Sequence, residues 1–183
     1  RDRQWGKVPR LHTVRQVLQI RAVAAVLAGT VVMNLFGFSY RQALPLIARD
    51  KLGLGPTLYG VLSAAPGLGT VTGAMFLSRR RITRPQRVFF LGSVATLGGI
   101  LFFALSPVYA LSLVLLFVTG LGASGFSAMQ SSVVLTETSP ELRGRAMGIL
   151  TVAIGAFPVG SWLVGQLAER MRPDSVLVWM AGA

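Results

Sequence analysis

Apolar residues in this chain come in long unbroken runs rather than alternating with polar ones. Ala22 to Tyr40 contains 19 residues without Asp, Glu, Lys or Arg, and Leu52 to Ser78 contains 27. Val88 to Thr136 extends the pattern over 49 residues, and Ala146 to Ala168 over 23. A helix rising about 1.5 Å per residue needs roughly 20 apolar residues to cross a hydrocarbon core about 30 Å thick. The 49-residue run therefore holds two crossings, separated at Ser106-Pro107, where proline suits a turn or the first turn of a new helix. The pattern predicts five complete membrane helices, near 24–47, 57–78, 88–106, 108–133 and 146–168. A sixth begins at Ser175 and stops at Ala183. Continuous rather than alternating runs exclude barrel strands.

Ahead of the first span, Leu11, Val14, Val17 and Leu18 share one helical face, opposite His12, Arg15, Gln16 and Gln19. Residues 1–21 are thus expected to form a linker with an amphipathic helix. It lies either on the membrane surface or in solvent. Residues 22–183 form the membrane unit. With no initiating Met and an end inside an apolar run, the sequence reads as a piece of a longer chain.

Composition agrees with a membrane protein. Of 183 residues, 52% are hydrophobic and 13% charged, and the mean hydropathy is +0.62. A soluble domain carries about twice that share of charge. The absence of cysteine removes thiolate metal sites and cysteine nucleophiles. Charge also orients the chain. Segments 1–21, 79–87 and 137–145 lie on one side of the membrane and carry 13 basic residues. The other side holds Arg49, Lys51, Arg170 and Arg172. The basic side is expected to be cytoplasmic. A nucleic-acid surface is disfavoured, because the basic residues flank spans without interleaved aromatics.

Within the spans only Arg41 is ionisable. On an ideal helix Thr30, Asn34, Gly37 and Arg41 share a face, with Pro45 a turn beyond. This face reads as the wall of a water-filled path with Arg41 attracting an anionic group, or else Arg41 snorkels to the interface. A second stripe, Gly120, Ser124, Ser127 and Ser131 with Gln130 beside it, marks the fourth span. Packing explains the serines, but a membrane-embedded amide such as Gln130 needs partners. Phe38 and Tyr40 either contact cargo or pack against neighbours. Gly69 with Gly73, and Gly160 with Gly165, allow close helix approach, and Pro66 and Pro158 suggest kinks. Gly120-Leu-Gly122-Ala-Ser-Gly125 matches a dinucleotide pattern, but no strand precedes it, so it is discounted. The sole histidine is His12 and all six acids lie in loops or tails. No catalytic set, metal site or cofactor site can be assembled in the spans.

The segment Gly73-Ala-Met-Phe-Leu-Ser-Arg79-Arg80-Arg81 resembles the cytoplasmic loop motif of the major facilitator superfamily, with Ser78 where that motif carries an acid. Pro140-Glu-Leu-Arg143-Gly144-Arg145 resembles a loop of its bacterial members. Pro45 to Asp50, followed by Tyr59-Gly60, is similar to the first outer loop of the second half in a branch of enterobactin and macrolide exporters. The resemblance implies an all-α fold in which these spans are helices seven to eleven, with part of twelve, of a twelve-helix transporter. It implies two halves rocking around a midplane site, the first half being absent here.

It further implies a bacterial inner-membrane protein exporting an amphipathic drug or siderophore by alternating access, with the proton as coupling ion. Asn34, Phe38, Arg41, Ser127 and Gln130 are then the expected cavity residues. Arg143 and Arg145 either pair across the two halves or meet anionic lipid. Nutrient uptake and a non-transporting scaffold remain the alternatives.

Overall fold

A computed structural model describes residues 10–170, and the side chains of 14–166. These residues form an all-α bundle, and among them no strand occurs. Five helical stretches are long and apolar enough to cross a membrane, with mean hydropathy from 1.4 to 2.2. The sixth span expected from Ser175 lies outside the described residues. Leu68, Leu91, Val94 and Val152 are each more than 60% exposed. Apolar side chains displayed on this scale suit lipid rather than water.

Helix α1 (Arg10–Gln19) precedes the spans and contacts both the first and the last of them. Val17 is fully buried there, while Val14 and Leu18 are 39% and 48% exposed. Of the expected apolar face, one residue thus enters the core. The side chains of Leu11 and His12 lie outside the described set.

The first span runs from Arg21 to Lys51 and is longer than the pattern predicts. At about 1.5 Å per residue its 31 residues exceed the hydrocarbon thickness, so it tilts or projects. It is also not one regular helix. Helix α2 (Arg21–Val32) passes into a π-helical turn at Met33–Gly37, α3 spans Tyr40–Leu46, and a second π turn covers Ile47–Lys51. Each π turn takes up an extra residue and rotates everything beyond it. The chain leaves the span at Gly53, whose φ of 60° is left-handed and favours glycine, and the Leu54 amide reaches back to the Ala48 carbonyl.

Helix α4 (Pro56–Ser78) starts with proline in its first turn and continues through Pro66. Helix α5 (Pro85–Leu105) likewise starts on proline, and α6 (Tyr109–Glu137) follows the break expected at Ser106-Pro107. The fifth span is divided. Helix α7 (Arg143–Ile154) ends at Gly155–Ala156, and α8 (Phe157–Arg170) begins with Pro158 in its first turn.

Helix α6 is the centre of the packing, because its glycines leave room on two sides. A Cβ at Gly120 would fall 2.0 Å from the Pro66 carbonyl oxygen of α4, and one at Gly122 would fall 2.6 Å from the Gly92 oxygen of α5. The glycines of the discounted dinucleotide pattern are therefore contact points for two different helices. Hydroxyls reinforce both seams. Thr70 lies within hydrogen-bonding distance of the Pro66 and Gly120 carbonyls, as does Thr96 of those of Gly92 and Thr119.

Candidate transport site

Polar side chains converge where the first span meets α6. The Thr30 hydroxyl donates to the Val26 carbonyl at 2.8 Å and lies 3.3 Å from the Gln130 side-chain oxygen, a contact between residues 100 positions apart. A half-turn of the amide lets that hydroxyl donate to Val26 and accept from Gln130 together. Asn34, only 5% exposed, donates through Nδ2 to the Thr30 carbonyl at 2.8 Å. The π turn that follows frees carbonyls that ordinary helical bonding would occupy. The Ser39 hydroxyl takes these up, lying 2.9 Å from the Leu35 oxygen and 3.3 Å from that of Asn34. Phe38 meets Phe126 of α6 edge to face, with ring centroids 5.5 Å apart.

The fifth span closes on the same turn. Gly160 is buried against it, and a Cβ there would lie 2.2 Å from the Leu35 oxygen and 2.6 Å from the Ser39 hydroxyl. Next to it, the buried Ser161 hydroxyl has no hydrogen-bond partner among the described residues. A buried hydroxyl without a partner is costly, which marks this corner as a place where a polar group can be received.

The expected residues do not all meet. Thr30, Asn34 and Gly37 are buried in the bundle, whereas Arg41 is exposed beside Gln42 and Pro45. The one-face projection fails because the π turn intervenes between Asn34 and Arg41 and breaks the 3.6-residue period. Arg41 instead lies against the Tyr40 hydroxyl, and Tyr40 is buried. The second stripe also divides. Gly120 and Ser124 face α4, with Ser124 filling the space opposite Gly73, while Ser127 is exposed and Gln130 half-buried. Thr30 is the partner that Gln130 requires, a pairing no sequence spacing reveals.

At the basic end, Arg143 donates from Nε toward the Leu135 carbonyl at 3.0 Å, with the Thr138 carbonyl at 3.4 Å. It caps the C-terminus of α6, whose last carbonyls have no helical partner. The sequence signal for this was a basic residue a few positions past a helix end. Glu141 in the same loop is exposed, and its carboxyl is held below the usual carboxylate range. The main causes are hydrogen bonds from its own backbone amide and from Ser139, with Arg143 adding a favourable charge. Gln86 bridges the start of α5 to Glu137 at 2.7 Å. Arg79, Arg80, Arg81, Gly144 and Arg145 are all exposed. Among the described residues no group of acids and histidines is arranged to hold a metal ion.

A bundle of membrane-length helices with a polar seam between two of them fits transport. A family model described as a transmembrane secretion effector, of the major facilitator class, matches residues 5–183. The chain belongs to this family. It is accordingly a multi-pass membrane transporter of a small molecule and not an enzyme. No curated protein and no solved structure matches it.

Proposed function

We propose that the chain is the C-terminal half of a twelve-helix exporter of the bacterial inner membrane. It moves an amphipathic small molecule, a drug or siderophore, outward by alternating access in exchange for protons. The observation that carries this reading is the Thr30–Gln130 contact across two spans, backed by Asn34 and flanked by Phe38 and the exposed Ser127. A side-chain amide set against a hydroxyl across two spans, where the other helix seams are closed by glycines and by hydroxyls bonded to backbone carbonyls, suits a cavity wall. Arg41, exposed toward the other end of the first span, suits attraction of anionic cargo and favours a catecholate over a cationic macrolide.

The glycines support a second half. Among the described residues nothing lies within 4 Å of the would-be Cβ positions of Gly67 on α4 or of Gly144 and Gly148 on α7, unlike those of the tightly packed Gly69 and Gly73. Open glycine faces of this kind suit contact with further helices or with lipid.

The test uses the complete protein in inverted membrane vesicles under an imposed proton gradient. Accumulation of a catecholate siderophore that is lost when the gradient collapses, and reduced in Gln130→Ala and Arg41→Ala, is the expected result. Transport untouched by Asn34→Ala, Gln130→Ala and Arg41→Ala in normally expressed protein removes the cavity assignment. Accumulation of a macrolide instead reassigns the cargo, and gradient-driven movement in the opposite direction makes the protein an importer.

A further inference from the structure

On α6, Leu121 and Gln130 are nine residues apart, two and a half turns, and so lie on opposite faces. The Gln130 face meets the first span. On the Leu121 side α4 and α5 part, leaving an open cavity of about 500 Å³. Its walls include Phe76 and Leu77 of α4 with Val88 and Leu91 of α5, over the backbone of Gly122 and Gly125. Along α5 the groove extends from Val88 to Ala95, roughly 10 Å at the helical rise. That is most of one leaflet's hydrocarbon depth, and the groove follows two helices that cross the membrane.

The other half of the argument is charge. Both walls run into the segment that joins α4 to the first turn of α5, where Arg79, Arg80, Arg81, Arg84 and Arg87 occur without an acid in residues 79–87. All five are exposed, and among the described residues none forms an ion pair. Arg80 is fixed at the lip itself, its guanidinium 5.0 Å from the ring centroid of the wall residue Phe76. An apolar trough covering most of a leaflet's depth that ends at a cluster of cations has the complementary shape and charge of an anionic phospholipid.

We infer that the α4–α5 groove binds an anionic phospholipid, with one acyl chain over Gly122 and Gly125 and the phosphate held by Arg79, Arg80 and Arg81. This site is separate from the cargo seam and does not depend on the direction or substrate of transport.

The experiment purifies the complete transporter and offers it phosphatidylglycerol and phosphatidylcholine with identical chains. Bound lipid is counted by native mass spectrometry. Phosphatidylglycerol is retained about tenfold over phosphatidylcholine, as a few arginines at a headgroup predict. Changing Arg79, Arg80 and Arg81 together to Gln removes that preference. Thr72→Trp, which fills the groove from an exposed position on α4, lowers retention of phosphatidylglycerol, while Phe102→Trp, outside the groove on α5, does not. Equal retention of the two lipids, or indifference to either the arginine or the Thr72 change, overturns the site. Leu91→Cys supplies a measurement that needs no loss of binding. In a background without other accessible thiols, a lipid-soluble maleimide labels it, and less so when phosphatidylglycerol is added. Absence of labelling at Leu91→Cys in lipid-free folded protein, while Val94→Cys on the exposed face of the same helix labels, shows the groove covered by another part of the chain and equally overturns the proposal.

Discussion

Gly120→Ala is the sharpest test of how the bundle holds together. The added methyl falls 2.0 Å from the Pro66 carbonyl oxygen and 2.8 Å from its carbon, where ordinary contact begins near 3.4 Å. The atoms in the way are backbone, so no rotamer change relieves the clash, and α4 has to move off α6. Overpacking of this kind costs about 1–3 kcal/mol. The same movement breaks the 3.2 Å approach of the Thr70 hydroxyl to the Gly120 carbonyl, a further ~0.5–1.5 kcal/mol. Alanine returns up to about 1 kcal/mol of helix propensity, leaving a net loss of about 2 kcal/mol. Gly67→Ala is the matched control on α4, since none of the described residues comes within 4 Å of its Cβ position. There only the propensity gain of roughly 0.5–1 kcal/mol operates. Thermal melting of the two complete proteins, followed by size-exclusion recovery in one detergent, separates them by about 3–4 °C, the melting entropy being that of a chain about twice this length. If Gly120→Ala melts at or above the wild type, the account of α4 and α6 touching through bare backbone is wrong.

Gly160→Leu should be at least as damaging as Gly120→Ala, because its side chain meets the Leu35 carbonyl of the first π turn. Melting in the same assay reports it. Arg143→Ala removes the donor to the Leu135 and Thr138 carbonyls and should cost about 1 kcal/mol. The check is faster hydrogen exchange over the last turn of α6, and Arg143→Gln restores little, since its shorter amide does not reproduce the Nε geometry. Glu141 has a lowered pKa, so its stabilisation of the loop is present above the ordinary carboxylate range. It is lost as pH falls through the lowered value. Protection factors of the 139–143 amides, with exchange rates corrected for their intrinsic pH dependence, should fall on acidification in the wild type and stay constant in Glu141→Gln. Gln130→Leu should leave folding intact but reduce transport several-fold in the vesicle assay, because it removes the polar partner of Thr30.

The separation of legible from illegible features follows from how far each signal reaches along the chain. Span number, the break at Ser106-Pro107 and the membrane environment depend on runs of like residues within one helix, and these were readable from the sequence by itself. The resemblance of the Arg79–Arg81 and Arg143–Arg145 loops to a transporter family was readable for the same reason, being local strings. What only the tertiary structure decided depends on phase and on partners. One extra residue in the Met33–Gly37 turn rotates Arg41 away from Asn34, an offset that an ideal 3.6-residue projection cannot contain. The division of Gly120 and Ser124 from Ser127, and the choice of Thr30 as partner for Gln130, depend on which helix lies against each face of α6. In a membrane that choice is made by close backbone packing between distant segments rather than by a hydrophobic gradient along any one of them.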